Sequence, residues 1–186
     1  MMPETEYSRL ADEDVMRSFQ TSRDERAFNV LYKRYYHPLY KFILWMASDE
    51  NIAKDVAQET LIKVFQKPEL FNAHSGFKTW LYTIAKNTLK NVYRKDANER
   101  NMKDTLQVVR DEDLPTDSDW RTDKLKQIER AVQRLPEKQR ETFVMKYSSN
   151  LTIAEISEIC DCSVGTIKSR LFHATHAIKE KLEVKR

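Results

Sequence analysis

Three groups of side chains in this chain have the types and spacing to recognise a partner. The first is Lys168, Ser169 and Arg170, with Gly165 and Thr166 before them and Phe172 and His173 after. These are small or long polar groups with an aromatic ring and no acid. A surface laid against phosphate needs that absence, and a guanidinium such as that of Arg170 pairs bidentately with guanine in a major groove. The second is Asn87 and Asn91, four apart and so on one face of any helix that holds them. A primary amide both donates and accepts, as base-edge reading requires. Arg94 and Lys95 follow, better suited to phosphate than to bases. The third is Asp55, Gln58 and Glu59, which composition alone reads either as a dock for a basic partner or as an ordinary solvated helix face.

Nothing here predicts covalent or redox chemistry. No nucleophile stands with a base, and no glycine-rich phosphate loop is present. Cys160, Cys162, His173 and His176 read as C-x-C, ten residues, H-x-x-H. A zinc finger of the two-cysteine, two-histidine kind wants two to four residues between its cysteines. The two cysteines read better as small apolar groups packing a turn. We therefore expect no enzyme, no metal and no cofactor.

The elements that must position these groups are helical. The chain has 186 residues with 2 Gly and 5 Pro, too few turn formers for an all-β fold, so an all-α fold is expected. Apolar residues recur at three and four: Ala27, Val30 and Leu31, then Leu39, Phe42 and Ile43 after Pro38; Ile52, Val56, Thr60 and Val64; Trp80, Leu81, Ile84, Ala85, Thr88 and Val92. Residues 49–51 and 68–76 break the pattern. Leu125, Ile128, Val132 and Leu135 start a second series, followed by Pro136 and by Phe143, Val144 and Tyr147. Thr152 and Glu155 have capping-box spacing, and Ser163 is a good cap for a last helix burying Val164, Ile167, Leu171 and Ile178. A short capped helix, a tight turn and a helix with a polar first half predict a helix-turn-helix over residues 151–174. A plain helical hairpin with a solvated face is the alternative.

Charge divides the chain. The formal net charge is +3, but residues 78–103 hold seven Lys/Arg against two acids, residues 111–119 hold five acids and no base, and residues 163–186 are basic again. Two basic blocks fit a polyanion. The acidic block, with Pro115, reads as a linker. The expected organisation is two small helical domains, residues 1–98 and 123–186, joined by a flexible acidic linker at 99–122. The acidic, polar first residues do not look like a signal peptide, and the longest apolar run, residues 42–47, is far too short to cross a bilayer. A reducing cytoplasm suits two cysteines one residue apart.

Three segments carry a family resemblance. LPEKQRETFVMKY and LTIAEISEICDCSVGTIKSRLF resemble the C-terminal promoter-binding domain of bacterial sigma factors. DVAQETLIKVF, residues 55–65, is similar to the sigma helix that docks on the RNA polymerase clamp. FKTWLYTIAKNTLKNVYRK, residues 77–95, looks like the helix that melts and reads the −10 promoter element. Their order and spacing resemble the extracytoplasmic-function group over residues 25–182.

The resemblance implies a factor that binds core RNA polymerase and directs promoter-specific initiation, with an anti-sigma factor as a further partner and no membrane insertion. Asp55, Gln58 and Glu59 would face polymerase. Asn87 and Asn91 would face a melted −10 element. The loop at 71–76 would hold a flipped base, for which Phe71, Asn72, His74 and Ser75 offer suitable types, although Phe71 also reads as a staple to the core. Trp80 and Tyr82 flank this site, and Trp80 reads better as core. Gly165, Thr166, Lys168, Ser169, Arg170, Phe172 and His173 would meet a double-stranded −35 element. His173 stands where the family often has Arg, and Asp161 where it usually has Gly. The acidic linker would thread polymerase in the place of nucleic acid, or serve as a solvated tether. Two alternatives stay open. A stand-alone promoter-binding regulator has no reason to keep DVAQET, and a look-alike that titrates a regulator would have lost Arg94, Lys95, Lys168 and Arg170.

Overall fold

A computed structural model describes residues 3–72, 75–100 and 120–183, and they are helical with no strand among them. The first unit holds α1 (Glu4–Tyr7), α2 (Asp12–Ser22), α3 (Glu25–Ala47), α4 (Glu50–Gln66), a 3-10 turn at Pro68–Leu70, and α5 (Phe77–Arg100). The second holds α6 (Trp120–Gln133), α7 (Glu137–Tyr147), α8 (Ile153–Ile159) and α9 (Val164–Glu183). The acidic block at 111–119 lies outside the described residues. Helix reaches into both ends of the expected linker, to Arg100 and from Trp120.

Each start has a local cause. Asp49 accepts the backbone N–H of Asn51 and Ile52 and so caps α4. Asp24 caps α3 through the N–H of Arg26. Helix α3 runs unbroken through Pro38. Proline removes one hydrogen bond to the carbonyl four residues back. Leu31 and Tyr35 before it and Leu39 and Phe42 after it are buried on one face, and that continuous burial outweighs the lost bond.

The first core gathers Val15, Met16 and Phe19 of α2, Leu31, Leu39, Phe42 and Ile43 of α3, Val56, Leu61 and Val64 of α4, and Phe77 and Leu81 of α5. The second gathers Val132, Leu135, Val144, Met145, Leu151, Ile156, Ile167 and Ala174. Three apolar expectations shift. Tyr147 is 60% and Val164 42% exposed, whereas Tyr82 is fully buried. Tyr82 is hidden because its ring packs edge-on against Phe42 and its hydroxyl is buried beside Ser149 of the second unit. The two units touch along α5 against α8 and α3 against α7. Lys86 pairs with Glu141 at 3.1 Å, Gln133 Nε2 donates to Trp45 O at 2.9 Å, and Lys78 Nζ donates to Asn150 O at 3.2 Å.

Candidate nucleic-acid interface

The most complete surface is built by α8 and α9. Thr152 Oγ1 accepts the N–H of Glu155 at 3.2 Å, and Glu155 Oε2 accepts the N–H of Thr152 at 2.7 Å, the reciprocal cap expected from their spacing. The turn between the helices passes through Asp161 at φ 48°. Asp is among the few residues with a side chain that tolerate that region, so the missing glycine is accommodated. Ser163 Oγ then accepts the N–H of Thr166 at 3.1 Å and starts α9. With Ile156, Ile159, Ile167 and Ala174 buried beneath, the outer face of α9 is rigidly presented.

On that face Gly165, Lys168, Ser169, Phe172 and His173 are exposed, and Thr166 and Arg170 are half-buried. No acid occurs between Ser163 and Lys179. Arg170 Nη1 lies 3.7 Å from Cys162 Sγ, a weak tether that leaves the guanidinium at the edge of the helix. Phe172 is 65% exposed. An apolar ring standing in water at the centre of a polar face is a ready contact for a thymine methyl. The arrangement can enter a major groove with its first turns.

The second surface is α5. Phe77, Leu81, Tyr82, Ala85, Thr88 and Leu89 are buried, while Asn87, Lys90, Asn91, Arg94 and Lys95 are exposed together. Lys86 belongs to the same basic run but is taken up by Glu141 and by the Ile159 carbonyl at 3.4 Å. Before α5, Phe71 is only 5% exposed, its ring 5.3 Å from Trp80 and 5.8 Å from Phe77. Of its two readings the structure favours the staple, because the ring is spent on the core. Asn72 is exposed and Ser75 half-buried. His74 lies outside the described residues. Trp80 is half-buried, packed against the core beside Phe71 and Phe77.

The third surface is α4. Val56, Thr60 and Val64 face the core and Asp55, Gln58 and Glu59 face outward. Glu59 pairs with Lys63 at 2.7 Å, and Lys63 also donates to Thr88 Oγ1 at 2.9 Å, which ties α4 to α5.

Burial pushes the Cys160 thiol up to about 11, and the Glu141 carboxylate nearby adds to it. Such a thiol stays protonated at neutral pH and is a poor metal ligand or nucleophile. Among the described residues no three His, Cys, Asp or Glu side chains are grouped to hold a metal, and no helix is long and apolar enough to cross a membrane. Sequence reading missed the contacts of α2 with the segment before α5. They pair side chains with backbone some fifty residues away and leave no local pattern.

Comparison with known proteins places this geometry. Residues 31–99 match the family described as Sigma-70 region 2, and residues 125–175 match Sigma-70, region 4. The chain is 31% identical over 184 residues to the ECF RNA polymerase sigma-E factor of Haemophilus influenzae, covering 94% of this chain and 96% of that one. It is 32% identical over 170 residues to the RNA polymerase sigma-H factor of Pseudomonas aeruginosa, covering 86% and 88%. Among solved structures it is similar to the sigma factor RpoE of Bartonella quintana, crystallised in complex with the anti-sigma factor NepR, with a TM-score of 0.73, 28% identity and coverage of 86% and 98%. CnrH, solved in complex with the cytosolic domain of CnrY, shares the fold at a TM-score of 0.72 and 18% identity, covering 95% and 100%.

Proposed function

This chain belongs to the extracytoplasmic-function (ECF) RNA polymerase sigma factors, and from that premise we propose how its two helical units divide the work. As a sigma factor it binds core RNA polymerase and directs promoter-specific transcription initiation. Residues 1–98 dock on polymerase through Asp55, Gln58 and Glu59 and read a melted −10 element through Asn72, Ser75, Asn87 and Asn91. Phe71 anchors that loop, His74 is its remaining candidate, and Arg94 and Lys95 meet phosphate. Residues 123–186 read a double-stranded −35 element through Thr166, Lys168, Ser169, Arg170, Phe172 and His173, with Gly165 allowing close approach.

The observation that carries this division is the exposure of the acid-free first part of α9, before Lys179, of the Asn87/Asn91 face of α5 and of the acidic face of α4 on three different helices. One face suits the major groove, one suits single-stranded bases, and one suits a basic protein surface. Neither DNA surface is large, so specificity comes from holding two weak readers at fixed spacing on polymerase. The bond-making chemistry belongs to polymerase. An anti-sigma partner, of the kind the Bartonella neighbour is bound to, would cover one or more of these faces.

Run-off transcription tests this reading. Sigma-free core polymerase, this protein and a pool of promoter fragments from its source should yield discrete transcripts. They should vanish with the D55A/Q58A/E59A variant while that variant still folds by circular dichroism. Specific promoter binding by the protein alone, without transcripts, would instead favour a stand-alone regulator.

A further inference from the structure

Helix α2 runs antiparallel to the whole connection between α4 and α5, and its side chains hold that connection at three places. Arg23, the left-handed cap of α2 at φ 53°, donates through Nη1 to Phe65 O at 3.0 Å near the exit of α4. Its Nη2 also lies 3.5 Å from Glu69 Oε2. Gln20 Nε2 donates to Pro68 O at 2.7 Å and to Phe71 O at 2.9 Å. Glu13 Oε1 accepts the N–H of Phe77 at 2.9 Å, the first residue of α5. A Cβ on Gly76 would come to 3.4 Å from the same oxygen, so the carboxylate lies directly against the backbone.

The order descends along α2, 23, 20, 13, as it rises along the connection, 65, 68 to 71, 77. Glu13 and Gln20 are seven apart, two turns of one face, so they fix points about 10 Å apart along the helix. Those points are the two ends of the segment that carries Asn72 and Ser75. The Glu13 carboxylate also sits at the positive end of α5, where a negative charge is favoured. Val15, Met16 and Phe19, fully buried on the adjoining stripe, keep α2 from sliding.

We propose that Glu13 and Gln20 are positioning residues for −10 recognition: α2 sets where Asn72 and Ser75 stand, and so which base they accept. This rests on the reading that the segment meets the −10 element. Recognition of an unstacked base depends on polar groups placed to within a fraction of an ångström. A loop whose ends drift loses discrimination before it loses affinity.

The test uses holoenzyme rebuilt from core polymerase and the full chain, and a promoter panel substituted one base at a time in the −10 element with a constant −35. Abortive initiation at saturating holoenzyme gives the ratio of cognate to substituted activity, to which unfolded protein does not contribute. Q20E is isosteric but replaces the donor that holds two carbonyls. E13A removes the acceptor, and E13Q keeps an acceptor oxygen. Q20E and E13A are expected to lower the ratio roughly threefold to tenfold, the worth of one or two net hydrogen bonds, with the −35 preference unchanged and E13Q near wild type. N72A is run alongside. If N72A shifts the −10 preference while Q20E and E13A lower only total activity, α2 is mere support and the inference is overturned. If N72A itself leaves the preference intact, the reading of the segment fails and takes the inference with it.

Discussion

At the scale of the residue, the two kinds of DNA contact proposed above separate by the chemistry of the head group. Arg170 has a planar fork and stands at the edge of α9, held only by a weak contact to Cys162 Sγ, so it can swing to a base at little cost. Lys95 is a point charge on the exposed side of α5. R170A should therefore lose about 1–3 kcal/mol of discrimination at the −35 element, while K95A should weaken cognate and scrambled promoters alike and lower the salt slope by about 1. Holoenzyme binding to both fragments over a salt series measures this, and equal effects of the two variants would remove the assignment. That Asn87, Asn91 and Lys168 lie on exposed faces was legible in the sequence because spacing fixes the face of a helix. Phe71, Tyr82 and Tyr147 were not, because an aromatic ring is equally suited to core and to contact. The packing partner decides: Phe77 and Trp80 take Phe71, the second unit covers Tyr82, and the last turn of α7 leaves Tyr147 outside.

At the scale of the element, the caps were the most legible feature. Serine, threonine and aspartate at helix starts state their geometry within four residues of sequence. The reciprocal cap of α8 matters more than its size suggests. That helix has only seven residues and braces α9 through Ile156 and Ile159. T152A should cost about 1 kcal/mol of stability, and because α8 and α9 share one core the loss should appear in the second unit as a whole. Urea unfolding followed by far-ultraviolet circular dichroism checks it, and T152S should recover most of the loss. Helix α3 runs through Pro38 as the stripe resuming at Leu39 implied: one missing hydrogen bond is a local signal, while the face that overrides it is buried by α4 and α5 from elsewhere in the chain. The role of α2 was invisible on the same account, since Gln20 shows its function only when Pro68 and Phe71 are beside it.

At the scale of the whole molecule, the arrangement is too compact for both readers to engage one promoter. Helix α9 packs on α8, and α8 packs on α5, so the two proposed DNA surfaces are separated by about two helix packings, roughly 20 Å. Promoter elements centred near −35 and −10 are more than twenty base pairs apart, which at about 3.4 Å per pair exceeds 70 Å. The units must therefore part when both elements are bound. The polar contacts that break are Lys86 with Glu141, Lys78 with Asn150 and Gln133 with Trp45, together with the packing of α8 on α5 that covers Tyr82. Cys160 reports the parting because it follows Ile159, whose carbonyl accepts from Lys86 of the other unit. Alkylation of Cys160 in a C162S background should accelerate on adding core polymerase. K86E sets two carboxylates against each other and should raise the free protein's alkylation rate and its affinity for core about twofold to fivefold, in keeping with a partly exposed ion pair. The K86E/E141K double variant should return both toward wild type if the pair itself is the latch. Independent, additive effects would instead assign the closed arrangement to the apolar contact of α8 with α5.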